Sequence, residues 1–211
     1  MQDTPHYRKM RDQAYREAVL ARLGEAHIAP ITALVNRLRT VGRGWMPYVA
    51  PTYGGVKSLA LFIFQDPGPA THEVGGSQLL CHQNDDPSAE RFSRLLDASG
   101  ISHADIMTWN AYPWYVHGTK VTAAQLDAAQ PALEELLGLL PQLNVVVPSG
   151  AIARRAWRRF AACHPHRRYT VVETLHTSGG GITNGYRHRI VDGEAIVREH
   201  YQGIARLLEK V

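Results

Sequence analysis

The sequence predicts an α/β protein of three layers, α/β/α, with a central four-stranded parallel sheet and an N-terminal helical extension. Short apolar runs alternate with stretches of helical period along most of the chain, the pattern that covers both faces of a parallel sheet with helices. A length of 211 residues at 45% apolar content suffices for one well-buried core and is too short for two full-sized ones. No apolar run reaches the length of a membrane span, so a soluble chain is expected.

The elements follow in order. From Tyr7 to Leu23 charged and apolar residues mix at helical spacing, and Ile28, Ile31, Leu34, Val35 and Leu38 form a second amphipathic helix, broken from the first near Pro30. Residues 1–50 are therefore expected as a helical preface, and residues 51–211 as the α/β/α domain. A loop rich in Gly, Pro and aromatics, "VGRGWMPYVAPTYGG", leads to the first strand, Leu59 to Phe64. A helix from Ala89 to Ser99, stopped by Gly100, is followed by a strand from Asp105 to Trp109. A helix from Ala123 to Leu140 precedes a strand from Asn144 to Val147. Then come a helix from Ile152 to Ala162, a strand from Tyr169 to Leu175 and a last helix from Gly193 to Leu208. There is no internal repeat and no low-complexity segment.

Charge and cysteine usage narrow the setting. The formal charge of +4, with a sequence pI near 9.2, suits an anionic partner without requiring one. Two cysteines, Cys81 and Cys163, behind a polar start from Met1 to Arg8 argue against a disulfide framework and for a reducing compartment, hence a cytoplasmic protein, nucleoid-associated if bacterial. Cys163, His164 and His166 with Cys81 and His82 do not match the spacing of a four-ligand zinc site, and two cysteines cannot hold an iron-sulfur cluster. No G-x-x-x-x-G-K-[ST] loop occurs, which disfavours a P-loop nucleotidase. No metal and no cofactor is expected.

The predicted sheet sets four strand ends in a row, and in an open parallel sheet the crevice beyond those ends is where ligands bind. They read Gln65-Asp66-Pro67-Gly68, Asn110-Ala111-Tyr112-Pro113-Trp114, Ser149-Gly150 and His176-Thr177-Ser178 before Gly179, Gly180 and Gly181. Each alone suits a plain role: Asp66 to Pro69 a tight turn, Asn110 a turn cap, His176 a strand-end histidine held by a carbonyl. An acid, a carboxamide, a helix-opening Ser-Gly and a histidine converging on one edge instead mark a site. Beyond Gly150, Arg154, Arg155, Arg158 and Arg159 take one side of a helix whose other side carries Ala153, Ala156, Trp157 and Phe160. Arg167 and Arg168 extend the basic patch, and no acid occurs from Ala151 to Tyr169. Such a face is either solvated or a phosphate-binding surface, the latter helped by free N–H groups at the helix start.

"LFIFQDPGP", "TWNAYPW" and "ETLHTSGGG", in this order and at these strand ends, resemble the uracil-DNA glycosylase superfamily, over roughly residues 57 to 208. Its best-known members carry G-Q-D-P-Y after the first strand, an asparagine after the second and H-P-S-P-L after the last. Gln65, Asp66 and Pro67 match directly, and Gly68 matches the P-G version of other branches. The resemblance implies a monofunctional glycosylase that flips uracil, or another deaminated base, out of DNA and hydrolyses the N-glycosidic bond to leave an abasic site. It implies Asp66 as the acid that polarises water and steadies the cationic sugar, and His176 as the donor to the anionic base oxygen. One carboxylate suffices, because a nucleobase leaves as a stabilised anion. Asn110 would meet the N3–H and O4 of uracil, Gln65 and Gly68 would offer backbone contacts, and Leu80 or a nearby aromatic would cover the ring. No stacking aromatic is evident in "GGSQLLCHQ". Ser149, Gly150, Arg155, Arg159, Ser178 and Gly179 would hold DNA phosphates. A monomer acting on DNA is expected, with a catalytically weak DNA- or base-binding module on the same scaffold as the alternative. Gly68 replaces the tyrosine that walls off thymine, and Thr177-Ser178-Gly179-Gly180-Gly181 offers no apolar wedge before Ile182. A broader base range and a preference for single-stranded or mispaired uracil are the expected consequences.

Overall fold

The computed structural model of the chain describes residues 7–40, 44–116, 118, 120–166, 168–184 and 192–209; Arg167 of the basic patch lies outside them. Four strands, β2 (Ala60–Phe64), β4 (Ile106–Asn110), β5 (Val145–Pro148) and β6 (Thr170–Val171), form a parallel sheet in the order β4-β2-β5-β6. Two further short strands, β1 (Tyr48–Val49) and β3 (Leu79–Leu80), pair in parallel outside it. The helices are α1 (Gln13–Leu20), α2 (Ala29–Thr40), α3 (Pro87–Ala98), α4 (Ala123–Ala128), α5 (Gln130–Gly138), α6 (Ala151–Cys163), α7 (Gly179–Asn184) and α8 (Gly193–Leu208). The predicted three-layer α/β/α fold is the observed one.

Strand order fixes which helix lies on which face. From β2 the chain crosses to β4 on one side, and from β4 it returns past β2 to β5 and β6 on the other. Right-handed crossovers then put α3 on one face and α4, α5 and α6 on the opposite face. Side-chain packing agrees: Phe62 of β2 meets Phe92 of α3 and Tyr201 of α8 at ring-centroid distances of 5.2 and 5.4 Å, while α6 packs on β2 and β5 with α4 beside it. The connections leaving β2 therefore run to the other face from those leaving both of its neighbours. That is the topology which opens a crevice at the carboxyl ends of the strands, here on each side of β2.

Departures from the predicted elements have local causes. The helix expected from Ala123 to Leu140 breaks at Ala129, since Pro131 in the first turn of α5 lacks an N–H and crowds the preceding turn. The last strand, expected from Tyr169 to Leu175, keeps only Thr170–Val171 as ladder plus a bridge between Ser149 and Thr174. It is an exposed edge with a partner on one side alone. Between Tyr7 and Leu23 the chain forms a 3-10 turn, Lys9–Arg11, and α1, whose first turn is capped by Asp12 accepting from the Tyr15 N–H. Gly179 to Gly181, the glycine run after His176, open α7. Ile31, Leu34, Val35 and Leu38 of α2 are buried in one cluster with Leu61, Ile63 and Val146 of the sheet. No helix of the described residues is long and apolar enough to cross a membrane.

Candidate active site

Register brings the predicted strand ends together. Phe64 is paired with Asn110 and Ile63 with Pro148, so Gln65 and Asp66 leave the sheet between Asn110 and Ser149. Backbone bonds continue past the strands: Ala111 N–H to Phe64 O at 2.8 Å, Tyr112 N–H to Gln65 O at 3.0 Å, Ser149 N–H to Ile63 O at 2.8 Å and Gly150 N–H to Thr174 O at 2.9 Å. The first three segments, and Thr174 two residues before His176, are thus fixed by the sheet itself. Pro69–Thr71 then turns in a 3-10 helix closed by Thr71, whose N–H and hydroxyl both donate to the Gly68 carbonyl at 2.9 and 2.7 Å.

Two cavities flank Asp66. One, of about 260 Å³, is lined by Asp66, Gly68, Leu80, Asn110 and His176 together with Tyr53, Phe64, Asn84 and Phe92. This is close to the lower end, about 300 Å³, of small-molecule sites, and suits one heterocycle better than a whole nucleotide. The other is an open cleft of about 560 Å³ lined by Gln65, Asp66, Gly68, Ser149, Gly150, Arg154, His176, Ser178, Gly180 and Gly181. Asp66, Gly68 and His176 border both. The aromatic walls come from β2, from α3 and from the loop before β2, which is why "GGSQLLCHQ" shows none.

Asp66 is half-buried, and burial raises its carboxyl pKa above the usual value against the opposing effect of a hydrogen bond from Gln65. His176 is mostly buried, and burial lowers its pKa to about 4, so the ring is neutral near pH 7. Its tautomer follows from one bond. Nδ1 accepts the Ser178 N–H at 3.0 Å, so the ring proton belongs to Nε2, leaving that edge as a donor. The ring stands edge-on to Phe64, with centroids 5.3 Å apart. Two glycines make room for it. A Cβ at Gly150, where φ is +93°, would lie 3.0 Å from the His176 Cβ, and one at Gly181 would lie 2.4 Å from the His176 carbonyl oxygen. Arg91 of α3, not legible as a site residue, donates to the carbonyl of buried Thr177 at 2.5 Å and anchors the segment from across the cavity.

Asn110 is 3% exposed, and its Nδ2 has no hydrogen-bond partner among the described residues. Asn84, also 3% exposed, lines the same cavity and escapes sequence reasoning because "CHQNDDPS" resembles an ordinary polar helix start. Its spacing before the capping Asp86 carries no signal of burial.

The basic helix divides. Ala153, Ala156, Trp157 and Phe160 are buried as the helical period predicts. Arg154, rather than Arg155 or Arg159, lines the open cleft. Arg159 is held by both oxygens of Asp127 at 2.7 and 2.6 Å, and Arg158 by both oxygens of Glu173 at 2.8 and 2.6 Å. The helix has no acid of its own, but its neighbours supply them. Gly179 borders neither cavity. Among the described residues no group of three or more His, Cys, Asp or Glu is placed to hold a metal ion. Cys81 is buried, its thiol pKa pushed up to about 12, and Cys163 is exposed.

No family model matches the chain, and no curated protein is significantly similar to it.

Proposed function

We propose that this chain is a DNA glycosylase that flips uracil, and other deaminated bases that the room beside Gly68 admits, out of DNA and hydrolyses the N-glycosidic bond to leave an abasic site. The observation that carries this reading is the meeting of a half-buried carboxylate, Asp66, and a neutral Nε2-protonated histidine, His176, on one cavity sized for a single ring and lined by a buried carboxamide, Asn110.

Bond cleavage builds positive charge on the sugar and negative charge on the departing base, and a preorganised site offers the opposite charge to each. The Asp66 carboxylate orients the attacking water and stabilises the cationic sugar. Nε2–H of His176 donates to the base oxygen that becomes anionic. A neutral donor is suited to this, since it keeps no full charge in a buried place before the reaction begins. Asn110 reads the base edge, and the cleft beside Arg154, Ser149 and Ser178 takes the backbone that flanks the extruded nucleotide.

The test uses end-labelled oligonucleotides carrying uracil in a single strand, in U:G and in U:A, with hypoxanthine, xanthine and T:G companions, followed by alkaline cleavage of abasic sites. Product from uracil, faster in single strands and U:G than in U:A, is expected, with hypoxanthine also removed. Binding to these oligonucleotides without product would identify a binding module instead.

A further inference from the structure

Two buried carboxamides in the 260 Å³ cavity carry complementary, unmet hydrogen-bonding capacity. Asn84 Nδ2 donates to the Leu79 carbonyl at 2.9 Å. A carbonyl only accepts, so this bond settles which end of the amide is which. Among the described residues, Asn84 Oδ1 is then a buried acceptor with no partner, and Asn110 Nδ2 a buried donor with no partner. Leaving such groups unmet is destabilising, because each has given up its hydrogen bonds to water, and a ligand offering one donor beside one acceptor would meet both.

We propose that Asn84 is a specificity-determining residue of this cavity: its Oδ1 accepts a ring N–H while Asn110 Nδ2 donates to the adjacent carbonyl oxygen of the same heterocycle. The assignment rests on the reading of the cavity as a base pocket. The edge recognised is H–N–C=O, present as N3–H and O4 in uracil and as N1–H and O6 in hypoxanthine and xanthine. Cytosine and adenine present the inverse, a ring nitrogen acceptor beside an amino donor. Asn110 by itself discriminates weakly, because an amide free to turn over offers either order. Asn84 cannot turn over, since Oδ1 would then face the Leu79 carbonyl, acceptor against acceptor. The lock on Asn84 makes the discrimination one-way, by the penalty of unpaired buried polar groups.

The experiment is binding of free bases to the full chain, followed by calorimetry or NMR and independent of excision. Uracil and hypoxanthine should bind at least tenfold more tightly than 3-methyluracil, which lacks the N–H, and than cytosine. Asn84→Ala should cut the preference for uracil over 3-methyluracil about tenfold or more, the scale of one buried hydrogen bond. Asn84→Asp, in its protonated form, donates to Leu79 and still accepts, and should keep that preference. If Asn84→Ala does not fold, a nuclear Overhauser contact in the wild type between the imino proton of bound uracil and the Asn84 side-chain amide decides the matter, and its absence overturns the assignment. A wild-type preference in Asn84→Ala, or no preference in the wild type, also overturns it. Uracil excision with the preference unchanged in Asn84→Ala sinks this assignment and leaves the glycosylase reading standing. Base-selective binding that depends on Asn84, with no excision from DNA, does the reverse.

Discussion

Replacing Gly181 by alanine tests the site through one methyl group. The added Cβ would lie 2.4 Å from the carbonyl oxygen of His176 and 2.7 Å from its Cβ, and both must retreat to the 3.0–3.4 Å that such contacts tolerate. Taking the first contact from 2.4 Å to that range displaces the His176 backbone by roughly 0.6 to 1 Å. A misplacement of about 1 Å at a catalytic group is worth on the order of a hundredfold in rate, or about 2.7 kcal/mol of barrier. Stability should fall as well, because the crowded atoms belong to the His176 backbone and Cβ rather than to a flexible side-chain end; the backbone entropy that alanine recovers in place of a helical glycine, up to about 1 kcal/mol, offsets only part of that crowding. The assay is single-turnover excision of uracil from a single-stranded oligonucleotide, beside thermal melting followed by circular dichroism. Gly179→Ala is the control: it is two residues earlier in the same helical turn, and its Cβ would meet nothing within 4 Å among the described residues. Excision by Gly181→Ala within threefold of wild type, or an equal loss in Gly179→Ala, would show that the room at Gly181 does not place His176.

Asp66→Asn should slow excision about a hundredfold or more, the scale of losing a major transition-state electrostatic contribution, while the melting temperature holds or rises. Burial raises the pKa of this acid, so its ionised form opposes folding above that pKa; a lower melting temperature with an intact rate would show Asp66 to be a turn residue. His176, lowered to about 4 from 6.5, binds fewer protons folded than unfolded between those values, so the stability it confers is complete above 6.5 and falls as pH drops toward 4. The loss is on the order of 3 kcal/mol across that window, and urea unfolding at stepped pH should show a shallower dependence in His176→Asn; identical slopes count against the buried neutral ring. Arg154→Ala should weaken DNA binding and reduce the log-log salt slope by about one, whereas Arg159→Ala, already paired with Asp127, should change it less. Fluorescence anisotropy across a salt series reads both, and a larger effect at Arg159 would reverse the assignment of the DNA face.

Whatever depends on period and on backbone chemistry could be read along the chain. Alternating apolar runs gave the parallel sheet, "LALFIF" placed β2, and the buried side of α6 followed from the spacing of Ala153, Ala156, Trp157 and Phe160. The polar strand ends at Asp66, Asn110, Ser149 and His176 were legible because register in a parallel sheet lines up the carboxyl ends of neighbouring strands, whatever lies between. The remaining features needed the folded chain, because each depends on a contact that residue type and period do not encode. Arg158 and Arg159 lose their freedom to Glu173 and Asp127, and Arg154 gains the cleft. The proton on His176 is placed by the turn to Ser178, and its position by Gly150 and Gly181. Asn84 acquires a direction only through the carbonyl of Leu79 in β3, a two-residue strand too short to leave any periodic trace. Local pattern specifies which face of an element is buried; the electrostatic state of a side chain depends on what the fold brings against it.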